Sequence, residues 1–262
     1  MAVSWRLVRW ITLGFGILLV STGLVVGQDS GCNHNPLASR TYYGVHEVLQ
    51  FECEALVYER VGRSSDRYEY ELTYASKVPF IRLIGDDGRR WLALFSDAIL
   101  LLYDAEEATP FFVGVTGNPA WIETVYFQPE VFGATSFLTE GSRTYVPENL
   151  GNPSTRRPWV EGVAGAGIGQ EITFTRPTRS IWISIGFVSY NQPELYTYNG
   201  RPKEIRIKNQ ASGLNKIVSL RDTPNPQLIA LDEPVQELRI EIDAVYPGER
   251  WDDTVVNWLL FY

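Results

Sequence analysis

The segment 237–245, ELRIEIDAV, alternates without a slip: Leu238, Ile240, Ile242 and Ala244 fall on one parity, and Arg239, Glu241 and Asp243 on the other. A period of two is what a pleated strand imposes, because successive side chains leave opposite faces of a sheet. It cannot be reconciled with the 3.6-residue period of a helix. The segment therefore reads as a strand with one buried and one wetted face. It sets the rule for the chain. After residue 27 no stretch keeps helical periodicity for three turns, whereas short apolar runs bounded by turn residues recur throughout. The expected fold class is all-β.

In the first half, 48–58, 68–74, 80–84, 91–95, 99–103 and 111–115 read as strands, separated by turn signals such as Asp86-Asp87-Gly88 and Ser96-Asp97. The succession from 80 to 115 predicts an antiparallel meander. A passage of low periodicity, 128–135, precedes a second set of strands at 170–174, 180–187, 203–208, 216–220, 227–231, 237–245 and 254–262. Seven or eight strands joined by loops of this length fit a β-sandwich better than any layered α/β fold. The expected organisation is a smaller antiparallel β domain over 28–133 followed by a sandwich over 134–262.

Residues 1–27 read as an export signal rather than as part of the fold. Arg6 and Arg9 form a short positive region, 10–26 is an apolar run, and Val25-Val26-Gly27 offers a cleavage point. An uncleaved signal anchor is the alternative, since the run is close to the length a bilayer core requires. Either way the remainder is expected outside the cytoplasm, whether periplasmic, cell-surface or secreted. Cys32 and Cys53 are the only cysteines, and in an oxidising compartment an even pair reads as one disulfide. Lipidation of Cys32 would strand Cys53 as a lone thiol, and Asp29-Ser30-Gly31 before it is a poor lipidation signal.

Setting aside the signal removes two basic residues and no acid, leaving 21 basic against 31 acidic, a net charge near −10. That balance argues against nucleic acid or an anionic membrane surface as partner. Contact with a membrane is expected only through the signal or anchor segment. The aromatic load, 8 Trp and 14 Tyr, suits β-structure and surfaces that stack on ligands.

The stretch WVEGVAGAGIGQEITF, 159–174, concentrates Gly162, Gly165, Gly167 and Gly169. A dinucleotide fingerprint needs such glycines to open a helix, whose N-terminus holds the pyrophosphate. Here Gln170 stands at the third glycine position of a motif begun at Gly165, and a strand pattern follows. No Gly-Lys-Ser/Thr occurs anywhere. A phosphate cradle is excluded.

The segments SFLTEGSRTYVPENL, RPWVEGVAGAGIGQEI, YNGRPKEIRI and VYPGERWDDTVVNWLLFY do, in order and spacing, resemble the discoidin-like (factor V/VIII type C related) module that forms the translocation domain of streptococcal NAD glycohydrolase. The resemblance covers about 134–262. It implies a jelly-roll, galactose-binding-like sandwich that binds glycans through loops at one end and is not itself catalytic. Two departures stand out. The chain has Gly151 to Pro158 where the family usually carries an Asp-Gly pair, and Asn199-Gly200-Arg201-Pro202 where it tends to Asn-Arg-Pro.

Sugar recognition needs flat apolar faces and fixed hydrogen-bonding groups. The candidates are Trp159, Glu161, Tyr190, Asn191, Asn199, Arg201, Lys203, Trp251, Asp252 and Asp253, with Trp159 also suited to core packing. Asp252-Asp253-Thr254 suits a loop cap, a direct glycan contact or a Ca²⁺ site. Adjacent carboxylates in an extended segment point to opposite faces and make a poor hydrolytic dyad. His34 and His46 are the only histidines, which leaves a Ser-His-Asp triad in the second half without its base and sets aside zinc with nitrogen or sulfur ligands. No catalytic residue, metal or cofactor is expected. The expected partner is a glycan or cell-envelope polysaccharide, with an envelope protein as the alternative.

Overall fold

The computed structural model describes residues 32, 35–44, 46–74, 81–85, 87–107, 109–117 and 131–261. The expected export signal, His34 and Asp86 lie outside them. Within them the chain is all-β apart from two single-turn helices, as the alternation predicts.

Eight strands form a closed antiparallel barrel: β1 Thr41–Tyr43, β2 Glu47–Phe51, β3 Ala55–Arg60, β4 Asp66–Tyr74, β5 Ile81–Gly85, β6 Arg90–Phe95, β7 Ile99–Asp104 and β8 Pro110–Val115. Each pairs with the next, and Tyr43 opposite Val115 closes the ring. The segment 48–58 is two strands rather than one. The turn falls where the buried parity changes, from Leu49 and Phe51 to Leu56 and Tyr58. The Glu52 amide donates to the Ala55 carbonyl at 2.7 Å, and Cys53 in the turn is disulfide-bonded to Cys32, Cα to Cα 5.3 Å. One end of the barrel is plugged. The segment 35–40 folds over it, with Leu37 fully buried beside Tyr42 and Phe51. The Asn35 side-chain amide holds the segment by donating to the Tyr70 hydroxyl at 2.6 Å and the Cys53 carbonyl at 2.8 Å.

Strand β7 is apolar on both faces, and the reason is tertiary. Leu100 and Leu102 point into the barrel, while Ile99, Leu101 and Tyr103 point outward into a cluster with Trp182, Val188, Tyr190, Tyr196, Trp258 and Leu260 of the second half. A strand buried on both sides loses its alternation and reads as a continuous apolar run. Barrel and sandwich thus share this hydrophobic cluster, in addition to the interior that each has of its own.

The second half contains β9 Val131–Ala134, the hairpin β10 Thr139–Glu140 and β11 Arg143–Thr144, a 3-10 turn Pro147–Gly151, β12 Trp159–Val160, β13 Glu171–Ile185, the helical turn α1 Leu195–Tyr198, β14 Arg201–Asn209, β15 Leu214–Ser219, β16 Gln227–Tyr246 and β17 Val255–Phe261. Two strands pass from one layer of the sandwich to the other. The first part of β13 lies between β9 and the end of β16, which continues into β14 and β15. Its second part lies between β17 and the start of β16, and β12 flanks β17. Both long strands bend at the same place, where Thr178 faces Val235 between register shifts. Pro177 and Pro234 sit there, since proline donates no ladder hydrogen bond and is tolerated where pairing breaks. The sequence pattern therefore reads each long strand as two. Between the layers lie Trp159, Ile172, Phe174, Ile181, Ile205, Leu238, Ile240, Ile242 and Phe261.

Candidate functional site

At one end of the sandwich the loops enclose a cleft of about 600 Å³. Leu138, Tyr145, Val160, Phe187 and Leu195 give it an apolar bed, and Tyr145 and Phe187 meet edge to face at 6.3 Å. Around this bed stand Glu140 and Arg143 of the β10–β11 hairpin, Arg156, Asn191, Gln192, Trp251 and Asp253. Two carboxylates face two guanidinium groups, so the lining carries no excess charge.

Trp251 sits on the rim with 37% of its surface exposed. Its loop is docked on α1: the amides of Arg250 and Trp251 donate to the Tyr198 carbonyl at 3.2 and 2.8 Å, and that of Glu249 to Thr197 at 2.9 Å. The Tyr198 ring meets the indole edge to face at 5.7 Å, and the Arg250 guanidinium lies 4.7 Å from the indole centre. Gly248 makes the approach possible, because a Cβ there would fall 2.0 Å from the Trp251 carbonyl oxygen and 2.5 Å from that of Tyr198. Asp253 enters the cleft from the same loop. Partial burial and the neighbouring carboxylates of Asp252 and Glu140 hold its carboxyl above the usual range, a property that accumulates at functional sites.

Four of the ten candidate residues, Asn191, Asn199, Trp251 and Asp253, line this cleft. Asn199 is largely occupied, its side-chain amide donating to the Leu195 carbonyl at 2.7 Å as a cap on α1. Asp252 is exposed beside the cleft, and Lys203 is exposed on β14 with its ammonium 5.9 Å from the Tyr246 ring centre. The other four lie inside the fold. Trp159 is fully buried and donates its indole N–H to the Ser136 carbonyl at 3.1 Å. Tyr190 belongs to the shared core, with Arg82 and Arg90 of the barrel each 5.5 Å from its ring centre.

Arg201 is a buried hub. Its guanidinium grips Asp222 through two bonds, at 2.9 and 2.8 Å, and donates to the Asn199 carbonyl at 2.7 Å. Tyr196 donates its hydroxyl to the same Asp222 at 2.9 Å. Glu161 is fully buried, its carboxylate accepting the backbone N–H of Val163 at 2.8 Å and of Thr254 at 3.3 Å. Burial raises its carboxyl above the usual range, and those two N–H groups only partly oppose the shift. The glycines beside it follow from this. Gly167 has φ +63°, and a Cβ there would lie 2.5 Å from the Glu161 side chain. The glycine-rich loop wraps a buried carboxylate and stitches it to the loop that carries Trp251.

Glu140, Arg143, Tyr145, Arg156, Phe187 and Gln192 were not among the sequence candidates. The hairpin was legible: Thr139-Glu140-Gly141-Ser142-Arg143-Thr144 has a turn glycine, Gly141 at φ +60°, between short polar arms. Arg156 comes from the segment Gly151 to Pro158, where the chain departs from the discoidin-like pattern. It also donates to the Glu106 carbonyl of the barrel, so this departure joins the cleft to the first half. The second departure, Gly200, lies against the last loop: its amide donates to the Asp253 carbonyl at 2.8 Å and it bridges Thr254.

Residues 125–262 match the model of the NAD glycohydrolase translocation F5/8 type C domain. No curated protein matches the chain. Solved structures similar to it include the family 32 CBM of Clostridium perfringens NanJ in complex with galactose, at 17% identity, covering 50% of this chain and 91% of that one with TM-score 0.36. The family 32 carbohydrate-binding module of Streptococcus pneumoniae EndoD is similar at 17% identity, 49% and 91% coverage and TM-score 0.37. Arabinofuranosyltransferase AftD from Mycobacteria is similar at 15% identity, 49% and 10% coverage and TM-score 0.34. Likeness at that level carries no ligand with it.

Proposed function

We propose, for a chain that belongs to the family of NAD glycohydrolase translocation F5/8 type C domains, that it is an exported, non-catalytic carbohydrate-binding protein whose sandwich cleft is the glycan site. The carrying observation is the half-exposed indole of Trp251 on the rim of a charge-balanced cleft. A neutral polyol with one apolar ring face fits such a lining: the indole stacks on the ring, Glu140 and Asp253 accept from hydroxyls, and Arg143, Arg156, Asn191 and Gln192 donate to them. A phosphate or an ammonium ligand would leave half of those charges opposed. The Cys32–Cys53 disulfide supports export, since such bonds persist in oxidising compartments. In this reading the barrel, β1 to β8, and the sandwich, β9 to β17, act as one body, with Glu161, Arg201 and Trp159 shaping the loops rather than touching sugar.

The test uses the full chain, because the sandwich alone would expose the shared core. A glycan array finds the ligand class, and calorimetry on a positive glycan measures affinity for the chain and for Trp251→Ala. The exposed part of the indole is roughly 90 Å², taking about 250 Å² for a whole Trp side chain. At about 25 cal/mol per Å² its full coverage contributes about 2 kcal/mol and half coverage about 1. The variant should bind about 5- to 30-fold more weakly. A blank array with an envelope protein captured instead, an affinity unchanged in Trp251→Ala, or turnover of NAD or a sugar by the chain would each overturn the reading.

A further inference from the structure

The barrel is a cup. Its plugged end, under Leu37 and the disulfide-held segment, contrasts with the opposite end, where Arg60, Asp66, Arg89, Asp104, Glu107 and Phe111 ring an open mouth of about 560 Å³. An eight-stranded barrel is wide enough either to be filled by its own side chains or to hold one small ligand. This one does the first at one end and leaves room for the second at the other. The volume is in the range of small-molecule sites. Leu49, Leu56 and Leu102, all nearly inaccessible, form the floor. The walls are aromatic: Trp91 meets Tyr68 edge to face at 5.8 Å, Tyr58 stands opposite, and Phe111 at the lip is 44% exposed.

The charges at the lip are not balanced as those of the sandwich cleft are. Its two arginines already have acidic neighbours. Arg60 is 3.7 Å from Glu47, which also accepts from the Tyr58 hydroxyl, and Arg89 is 2.9 Å from Asp87. The acids that line the mouth itself are in a different state. Asp66, Asp104 and Glu107 enter no ion pair among the described residues; Asp104 accepts the Glu106 backbone N–H at 2.9 Å and its charge also acts on Arg89. The Arg60 guanidinium lies 4.8 Å from the Tyr58 ring centre and that of Arg89 5.2 Å from the Tyr68 ring centre, so the mouth offers its surplus negative charge beside the rings of Trp91 and Phe111 and an apolar floor. A protonated amine gains from both carboxylates and ring faces, whereas a carboxylate or phosphate would meet like charge.

From this juxtaposition we propose that the barrel mouth is a second binding site, for a small organic amine with an apolar body. The ammonium sits at the lip among Asp66, Asp104 and Glu107, and the body lies against Tyr68, Trp91 and Phe111 above the leucine floor. The site is separate from the sandwich cleft and does not depend on it.

The probes are octylamine, octanoate and octanol, equal in length and different in head group, titrated into the full chain with the indole N–H signal of Trp91 as readout, assigned through Trp91→Phe. Octylamine is expected to shift that signal saturably, and octanoate to leave it unmoved. Asp66→Asn and Glu107→Gln keep shape and remove charge at exposed positions. Each should weaken octylamine by about fivefold while circular dichroism stays unchanged, and Trp251→Ala should leave octylamine binding as it was. Equal binding of octanoate or octanol, no saturable shift with octylamine, or unaltered affinity in the Asp66→Asn, Glu107→Gln double variant would overturn the proposal.

Discussion

Leu101 tests whether the barrel and the sandwich are one cooperative body. It is fully buried on the outer wall of the barrel, paired with Leu94 and Val113, and lies in the cluster that includes Trp182 and Trp258 of the sandwich. Leu101→Ala removes three carbons from a site that neither layer can collapse into without moving the other, and such truncations cost about 3 kcal/mol. For a chain of this size that corresponds to a fall of about 6 to 12 °C in melting temperature. The informative quantity is where the loss is felt. Hydrogen exchange read separately on barrel peptides around β2–β3 and sandwich peptides around β14–β16 should show both losing protection together, and calorimetry should show one transition displaced as a whole. Two transitions, with only the barrel's moved, would refute the shared core and restore the sandwich as an independent unit.

Gly248→Ala should weaken glycan binding at least as much as Trp251→Ala, because the added Cβ collides with the carbonyls that seat the Trp251 loop; calorimetry on the folded variant checks this. Arg201→Ala leaves Asp222 with the Tyr196 hydroxyl as donor and takes a bond from the Asn199 carbonyl, and should cost about 2 to 3 kcal/mol in a denaturant melt. Arg201→Lys should fail to rescue it, since an ammonium cannot reproduce the two-point grip. Replacing both Cys32 and Cys53 by serine opens a link spanning 21 residues and should cost about 3 kcal/mol, seen as earlier melting and weaker protection of the 35–40 plug. Glu161 supplies a pH test. Its folded carboxyl binds a proton more tightly than the unfolded one, so its own contribution to stability is greatest in acid and declines as pH rises from the ordinary carboxylate value through the raised folded one. Glu161→Gln should remove that part of the decline, and melting profiles that stay parallel from acid to neutral pH would contradict it.

The alternation in 237–245, the turn signals and the two cysteines were enough to read an all-β chain with one disulfide, while the discoidin-like reading of the second half came from the resemblance of its segments to that family. These are local properties: a period of two, a glycine at a turn and a pair of thiols are written into neighbouring residues. Strand count was less legible. Pro177 and Pro234 look like strand ends, yet they mark bends where one long strand changes layers. The change of buried parity between Phe51 and Leu56 was a readable sign of the β2–β3 turn, outweighed by the apolar run around it.

Site residues divide along the same line. Composition and motif position pick out Trp, Tyr, Arg and carboxylates in loops; they set Trp159 apart as suited to core packing, but picked Trp251 and Asp253 alongside Tyr190, Glu161 and Arg201 without distinction. Those side chains are chemically alike in sequence and differ only in what surrounds them. Glu161 is enclosed by a glycine loop, Arg201 by Asp222 and a ring of carbonyls, and Tyr190 by Arg82 and Arg90 of the barrel, far away in the chain. The sequence alone determined the backbone habit of this protein, because hydrogen-bonding period and turn chemistry act between near neighbours. Only the tertiary structure decided which polar groups are sealed inside, which line a cleft, and that the barrel has one closed and one open end, because burial is set by residues that meet only after the chain has folded.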